Sequence, residues 1–304
     1  MKKQVIYLAG PTASGKTDFA IYLAKLLNGE IVSCDSMQIY KYLNIGTAKP
    51  TFEEQNEIKH WMIDFVDPQI EYSVYDYVRD AKKAIEDISS RGKAPIVVGG
   101  TGLYMSSLLH ERKYTDVGID PKLTEQIEKE FDTVCGPRLL LDEIERVDPL
   151  HAEKLSLNDR KRIVRAVELI RTTGNSYSFL SDSNSKDKEP IFLLNYGDRA
   201  LLYSRIEKRI DQMVKNGLLE EANYVYSNRE CFKTASMAIG YKEFFSYFEG
   251  NISIEQAISD LKKATRHYAK RQLTWFRREK HIELLVDEIT EEECYKTVLA
   301  NIVR

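Results

Sequence analysis

Gly10-Pro-Thr-Ala-Ser-Gly-Lys-Thr17 follows the apolar run Val5-Ile-Tyr-Leu-Ala9 and opens a helix-patterned segment running from Asp18 to Leu27. Strand, glycine-rich turn and helix start form the context in which GxxxxGK[ST] works as a phosphate-binding loop. Gly10, Pro11, Thr12, Ala13, Ser14 and Gly15 shape such a turn, whose backbone N–H groups point inward, and the helix N-terminus adds partial positive charge. Gly10 and Gly15 permit backbone angles that a side chain would obstruct. Lys16 reaches outer phosphates, and Thr17 can ligate Mg²⁺. The motif predicts a bound polyphosphate, without saying whether that is a nucleotide.

Outward from this loop, strand and helix patterns alternate. Glu30–Cys34 reads as a second strand ending at Asp35-Ser-Met-Gln38, and a polar loop runs on to Pro50. A third apolar piece spans Trp61–Val66 and is closed by the turn signal Asp67-Pro68. Helical spacing covers Ser73–Arg91, with Ser73 as a cap. Ala94–Val98 reads as a buried strand ending in Gly99-Gly-Thr-Gly102, with a helix from Leu103. Such alternation predicts an α/β fold, a P-loop NTPase-like parallel sheet flanked by helices, with ligands at the carboxyl ends of the strands. Gly10–Thr17, Asp35–Gln38 and Gly99–Thr101 all fall at such ends.

From about Thr115 the pattern turns to charged helices, Pro121–Phe131, Arg138–Val147 and Asn158–Thr173, followed by a polar loop at Asn175–Lys188. An inserted all-helical subdomain is expected over 115–189, between core segments 1–114 and 190–304. Pro190–Leu194 returns to the sheet. Helical pattern covers Arg199–Val225, Thr234–Glu249 and Ser253–Lys280, then a last strand at His281–Val286 and a last helix at Glu291–Val303.

At 304 residues, 43% hydrophobic and 30% charged, the chain is expected to be a soluble folded protein. A net charge of −3 confines any nucleic-acid affinity to a local patch. Cys34, Cys135, Cys231 and Cys294 are widely spaced with no CxxC pair, which speaks against a metal or disulfide framework. No signal peptide or membrane-length apolar run is read, so a cytoplasmic protein with no membrane partner is expected, working as a monomer.

Several residues allow a chemical and a plain reading. Asp35 is either a general base or Mg²⁺ partner beside the loop, or a solvated carboxylate. Thr101 either donates to a phosphate oxygen or caps the following helix. Arg205 and Arg209 share a helix face, as do Lys161, Arg162 and Arg165, and such stripes are usually solvated. The segment Lys262–Lys280 carries eight Lys or Arg against one acid, interleaved with Tyr268, Trp275 and Phe276. That mixture suits phosphate contact with base stacking, while an amphipathic helix burying its aromatics is the alternative.

Together the motifs strongly resemble the bacterial tRNA dimethylallyltransferases, also called tRNA isopentenyltransferases, through nearly the whole chain. The resemblance rests on Gly10–Thr17, Ser33-Cys-Asp-Ser-Met-Gln-Ile-Tyr40, Asn44-Ile-Gly-Thr-Ala-Lys-Pro50, Gly99-Gly-Thr-Gly-Leu-Tyr104, Ala238-Ile-Gly-Tyr-Lys-Glu243 and Thr265-Arg-His-Tyr-Ala-Lys-Arg-Gln-Leu-Thr-Trp-Phe-Arg277. It implies transfer of a dimethylallyl group from dimethylallyl diphosphate to N6 of adenosine 37 in tRNAs that read codons beginning with U, with Mg²⁺ and release of pyrophosphate. The phosphate loop would then hold the prenyl diphosphate rather than ATP. Asp35 matches the family's base, and Thr101 the residue that hydrogen-bonds the bridging oxygen. Lys16, Mg²⁺ through Thr17, and Arg209 would neutralise the departing diphosphate. The resemblance also implies that the tRNA anticodon stem-loop is the partner. It would be gripped by Lys161, Arg162, Ile163, Val164 and Arg165 of the inserted subdomain and by Lys270 and Arg271. Asp35, Ser36, Met37, Gln38, Thr101 and Gly240 would surround the flipped base. Met237 stands where some members carry arginine, and no zinc finger of the eukaryotic kind is expected. Three rivals remain: a P-loop small-molecule kinase, an isopentenyltransferase acting on free adenylate, and a nucleotide-switched RNA-binding protein.

Overall fold

The computed structural model describes residues 4–110, 120–175 and 189–302. Its elements in chain order are β1 (Ile6–Ala9), α1 (Lys16–Leu27), β2 (Gly29–Ser33), α2 (Phe52–Glu57), β3 (His60–Trp61), α3 (Val74–Ser90), β4 (Ala94–Gly99) and α4 (Gly102–Leu109). There follow α5 (Pro121–Phe131), α6 (Gly136–Val147), α7 (Pro149–Ala152), α8 (Arg160–Thr173), β5 (Ile191–Asn195) and α9 (Arg199–Lys215). The last are α10 (Leu218–Ser227), α11 (Phe245–Phe248), α12 (Ile254–Phe276), β6 (His281–Leu285) and α13 (Glu291–Ile302). Two compact units emerge, 1–109 with 188–304, and 110–187.

In the first unit six strands form one sheet in the order β3-β2-β4-β1-β5-β6, every pair parallel. The central strands read as continuous apolar runs because a parallel sheet is covered on both faces. Accordingly every residue of β2 and β5 is buried. One core cluster sets Phe19 and Leu23 of α1 and Val298 of α13 against Ile6, Leu8, Ile31, Ile96, Phe192 and Leu284 of the sheet. Another joins Tyr40 and Leu43 to Ile206 and Ile210 of α9, to Leu261 of α12, and to Tyr241 and Phe244. Local chemistry fixes the ends: Ser73 and Asp76 make the reciprocal capping box that starts α3.

Three helical or strand expectations change. Of the Trp61–Val66 piece only Trp61 lies in a strand, because Met62 and Asp64 take φ values of 64° and 58° and turn the chain away. Arg199–Val225 is two helices, broken at Asn216-Gly217, where Gly217 takes φ 99°. Thr234–Glu249 is two 3₁₀ turns, Ala235–Met237 and Lys242–Phe244, and one turn of α-helix. The Asn175–Lys188 loop lies, beyond Asn175, outside the described residues.

The second unit is a small helical core in which Ile127, Leu140, Ile144, Ile163 and Val167 meet. Arg171 ties α8 to Glu130 of α5 and Glu143 of α6 at 2.7 and 2.8 Å. No helix among the described residues is long and apolar enough to cross a membrane.

Candidate active site

The turn after β1 is held tight by its neighbours. A Cβ on Gly10 would lie 2.4 Å from the carbonyl oxygen of Leu194 in β5, so only glycine lets the two strand ends approach this closely. Gly15 takes φ 86° and starts α1, and Lys16 folds back so that its Nζ donates to Pro11 O at 2.6 Å. Ser14 is buried, and its hydroxyl oxygen meets no hydrogen-bond partner among the described residues.

At the end of β2, Asp35 Oδ1 accepts from the backbone N–H of Met37 (2.8 Å) and of Gln38 (3.3 Å). These bonds are the signature of an Asx turn and fix the carboxylate's direction. At the end of β4, Thr101 Oγ1 accepts from Ser36 N at 3.0 Å, while the Thr101 N–H donates to Cys34 O at 3.1 Å. The two strand ends are thus laced together, with Tyr268 of α12 beside Thr101.

Cations converge from α9. Arg209 Nη1 lies 3.4 Å from Thr12 Oγ1, and Arg205 Nε donates to Ala13 O at 3.1 Å. Electrostatics follow from this crowding. Burial, and then the adjacent Arg209, bring Lys16 down from 10.5 to about 7, with Asp35 opposing them. Burial likewise pulls Arg209 down and pushes Asp35 up, the latter against the bonds from Met37 and Gln38 and the charges of Lys16 and Arg209.

A cavity of about 350 Å³ opens over these groups. Its polar lining includes Lys16, Thr17, Asp35 and Arg209, and its apolar lining Ile206, Ile210, Met213 and Leu261. A second hollow of about 520 Å³ shares Ala13, Lys16, Thr17 and Arg209 with the first and adds Lys49, Arg205 and Lys208. The phosphate loop therefore stands between two cavities, with its cations reachable from both.

Ser36, Met37, Gln38 and Gly240 all line the first cavity. The wall they belong to is braced by Glu221 of α10, whose carboxylate accepts from the N–H groups of Asn44, Ile45 and Gly46 at 2.7 to 3.0 Å and from Tyr241 OH at 2.8 Å. Sequence reading missed Glu221, since an acid on a helix face gives no sign of the distant amides it captures. It also assigned nothing to Gln272, an uncharged amide inside a cationic run, whose side chain is only 5% exposed.

The cationic helix divides in two. Lys262 and Arg266 are bonded to Asp211 and Glu207 of α9, and Arg277 to Glu283. Lys270 and Arg271 are exposed, Arg271 lies over the Tyr268 ring at 5.6 Å, and neither forms an ion pair among the described residues. Phe276 is core, and Trp275 covers Gly102 while its Nε1 donates to Ser106 Oγ at 2.8 Å, so both aromatics serve packing.

In the helical unit Lys161 and Arg162 are exposed, Arg162 pairing with Asp159 at 2.7 Å, while Arg165 is bonded to Glu168 at 2.9 Å. Ile163 and Val164 are buried in that unit's core, so their side chains present no surface, a correction to their inclusion in a gripping stretch. Helical geometry gives the reason: residues between two exposed cations and a third face the opposite side.

Residues 38–279 match the IPP transferase family. A tRNA dimethylallyltransferase of Thermoanaerobacter sp. (strain X514) is 44% identical over 283 residues, which covers 91% of this chain and 90% of the relative. One from Finegoldia magna is 42% identical over 307 residues, 98% of each chain. Among solved structures, a tRNA delta(2)-isopentenylpyrophosphate transferase from Staphylococcus epidermidis superposes with TM-score 0.70 at 37% identity over 99% of both chains. A eukaryotic dimethylallyltransferase acting on tRNA gives 0.82 at 28% identity, over 98% of this chain and 78% of its own.

Proposed function

This chain belongs to the IPP transferase family, and from that premise we propose that it transfers the dimethylallyl group of dimethylallyl diphosphate to N6 of adenosine 37 in tRNA. The observation that carries the residue assignment is the meeting of three strand ends at one cavity: Lys16 and Thr17, Asp35, and Gly99 with Gly100 line it beside a set of apolar side chains, and Thr101 follows directly, bonded to Ser36 of the lining. A prenyl diphosphate needs both the charged and the apolar lining.

The adenine amine is a weak nucleophile because its lone pair is drawn into the ring. Asp35 serves as its base: Oδ1 is committed to two backbone amides, which leaves Oδ2 to take the proton as the N6–C1 bond forms. The C1–O bond breaks in the same displacement, and pyrophosphate leaves with the electron pair. Thr101 accepts from Ser36 N, and its O–H, which reaches Ser36 Oγ at a long 3.4 Å, would turn to donate to the bridging oxygen. One such pre-aimed donor is worth about 3 kcal/mol of barrier. Lys16 and Arg209 hold the phosphates, and the unpartnered Ser14 hydroxyl fits a phosphate oxygen.

Mg²⁺ fits the same place. No three His, Cys, Asp or Glu side chains cluster among the described residues to hold a metal by themselves. Thr17 with the oxygens of the diphosphate is a donor set that Mg²⁺ accepts. When bound it would supply charge neutralisation of the leaving group. Lys270, Arg271, Lys161 and Arg162 would take the phosphates of the anticodon stem-loop. The enzyme proposed is a monomer, and a tRNA substrate supports work in the cytoplasm.

The test is mass analysis of tRNA nucleosides after incubation with the protein, Mg²⁺ and dimethylallyl diphosphate. N6-dimethylallyladenosine is expected. Turnover of ATP with a small acceptor and none of the prenyl donor would replace this reading with a kinase, and equal use of free AMP with an adenylate prenyltransferase.

A further inference from the structure

Gln272 sits on α12, in the helix that also carries Lys270 and Arg271, yet its side chain points away from solvent. Its Oε1 accepts from Thr12 N at 2.9 Å, and its Nε2 donates to Gly100 O at 2.9 Å. The backbone N–H can only donate and the carbonyl can only accept, so the amide's orientation is settled by its partners. Of the side chains of this length, only glutamine satisfies both. Glutamate would set a carboxylate oxygen against the Gly100 carbonyl, and methionine would leave both backbone groups unpaired in a buried place. Space is equally strict: a Cβ on Gly100 would come 2.0 Å from Nε2.

The two groups bridged are one residue inside the phosphate loop and one residue before Thr101. We propose that Gln272 is a positioning residue that sets the distance between the phosphate loop and the Gly99-Gly100-Thr101 turn, so that a diphosphate gripped by the loop presents its bridging oxygen to the Thr101 hydroxyl. The inference rests on the function proposed above and deepens it. No other described side chain hydrogen-bonds both the loop's backbone and that turn's backbone. Misplacement of a reacting group by about 1 Å can cost about 10²-fold in rate.

Thermal midpoints, tRNA affinity and single-turnover rates are measured for Gln272→Met, Gln272→Glu, Thr101→Ala and the double variant Gln272→Met/Thr101→Ala. Each Gln272 variant is expected to lose about 10²-fold in rate at saturating donor and tRNA, with tRNA affinity unchanged. In the Thr101→Ala background the Gln272→Met step should cost less than about 3-fold, because without that hydroxyl the spacing has nothing to align. Additive losses would reduce Gln272 to a structural brace and overturn the proposal, as would wild-type rates in Gln272→Glu. If Met lowers the thermal midpoint too far to assay, the Glu variant carries the same cycle. Failure of the wild-type protein to prenylate tRNA at all would instead sink the function on which this rests.

Discussion

Lys16 is the group in this cavity whose titration reaches neutral pH. Its value falls from 10.5 to about 7 on folding, so between those limits the unfolded chain carries a proton that the folded chain lacks. The sign follows: this group's share of stability rises as pH climbs from about 7 toward 10.5. An arriving diphosphate reverses the balance, because its charge favours the ammonium form. Binding of inorganic pyrophosphate at pH 8 should therefore take up a proton. Calorimetry in two buffers of different ionisation enthalpy should give different apparent heats for wild type and equal ones for Lys16→Met. Asp35 is displaced the other way, upward, by burial. A raised value makes a stronger base but brings protonation nearer to working pH. Prenylation should thus fall on the acid side with a midpoint above the ordinary 3.8. Asp35→Ala should lose about 10²-fold or more in kcat with tRNA affinity intact. A variant that keeps near-normal turnover would remove Asp35 as the base.

At the scale of the element, α12 does two jobs on one helix. Tyr268, Arg271 and Gln272 come at spacings of three and four and so line one face toward the cavity. Lys262 and Arg266 are spent on α9, which itself delivers Arg205 and Arg209 to the phosphate loop. Counting charges along the sequence overstates the cationic surface, because a lysine bonded to an aspartate presents little field. Lys270 and Arg271 remain exposed and unneutralised among the described residues. Reversing both to glutamate should weaken tRNA binding and reduce the slope of log affinity against log salt by about 1 for every phosphate that goes unneutralised. Filter binding at several salt concentrations measures this, and an unchanged slope would return the helix to a packing role.

At the scale of the molecule, the phosphate loop and its cavity belong to the unit built on the parallel sheet, and the helical unit has its own core and its own exposed cations. Reversal of Lys161 and Arg162 should weaken tRNA binding while pyrophosphate affinity, measured separately, stays within about 2-fold. The parallel sheet, the phosphate loop and the strand-end placement of Asp35 and Thr101 were legible in the chain itself, since apolar runs, glycine spacing and caps are local properties. The charged helices of 121–173 were legible for the same reason. Folding in three dimensions decided the rest. Glu221 finds its amides 175 to 177 residues away, and Gln272 bridges partners 260 and 172 residues distant. Ile163 and Val164 turned inward, and Lys262 and Arg266 of the cationic helix were neutralised by a neighbouring helix. Hydrogen-bond satisfaction and charge pairing depend on what packing brings close, and no window along the sequence contains that distance.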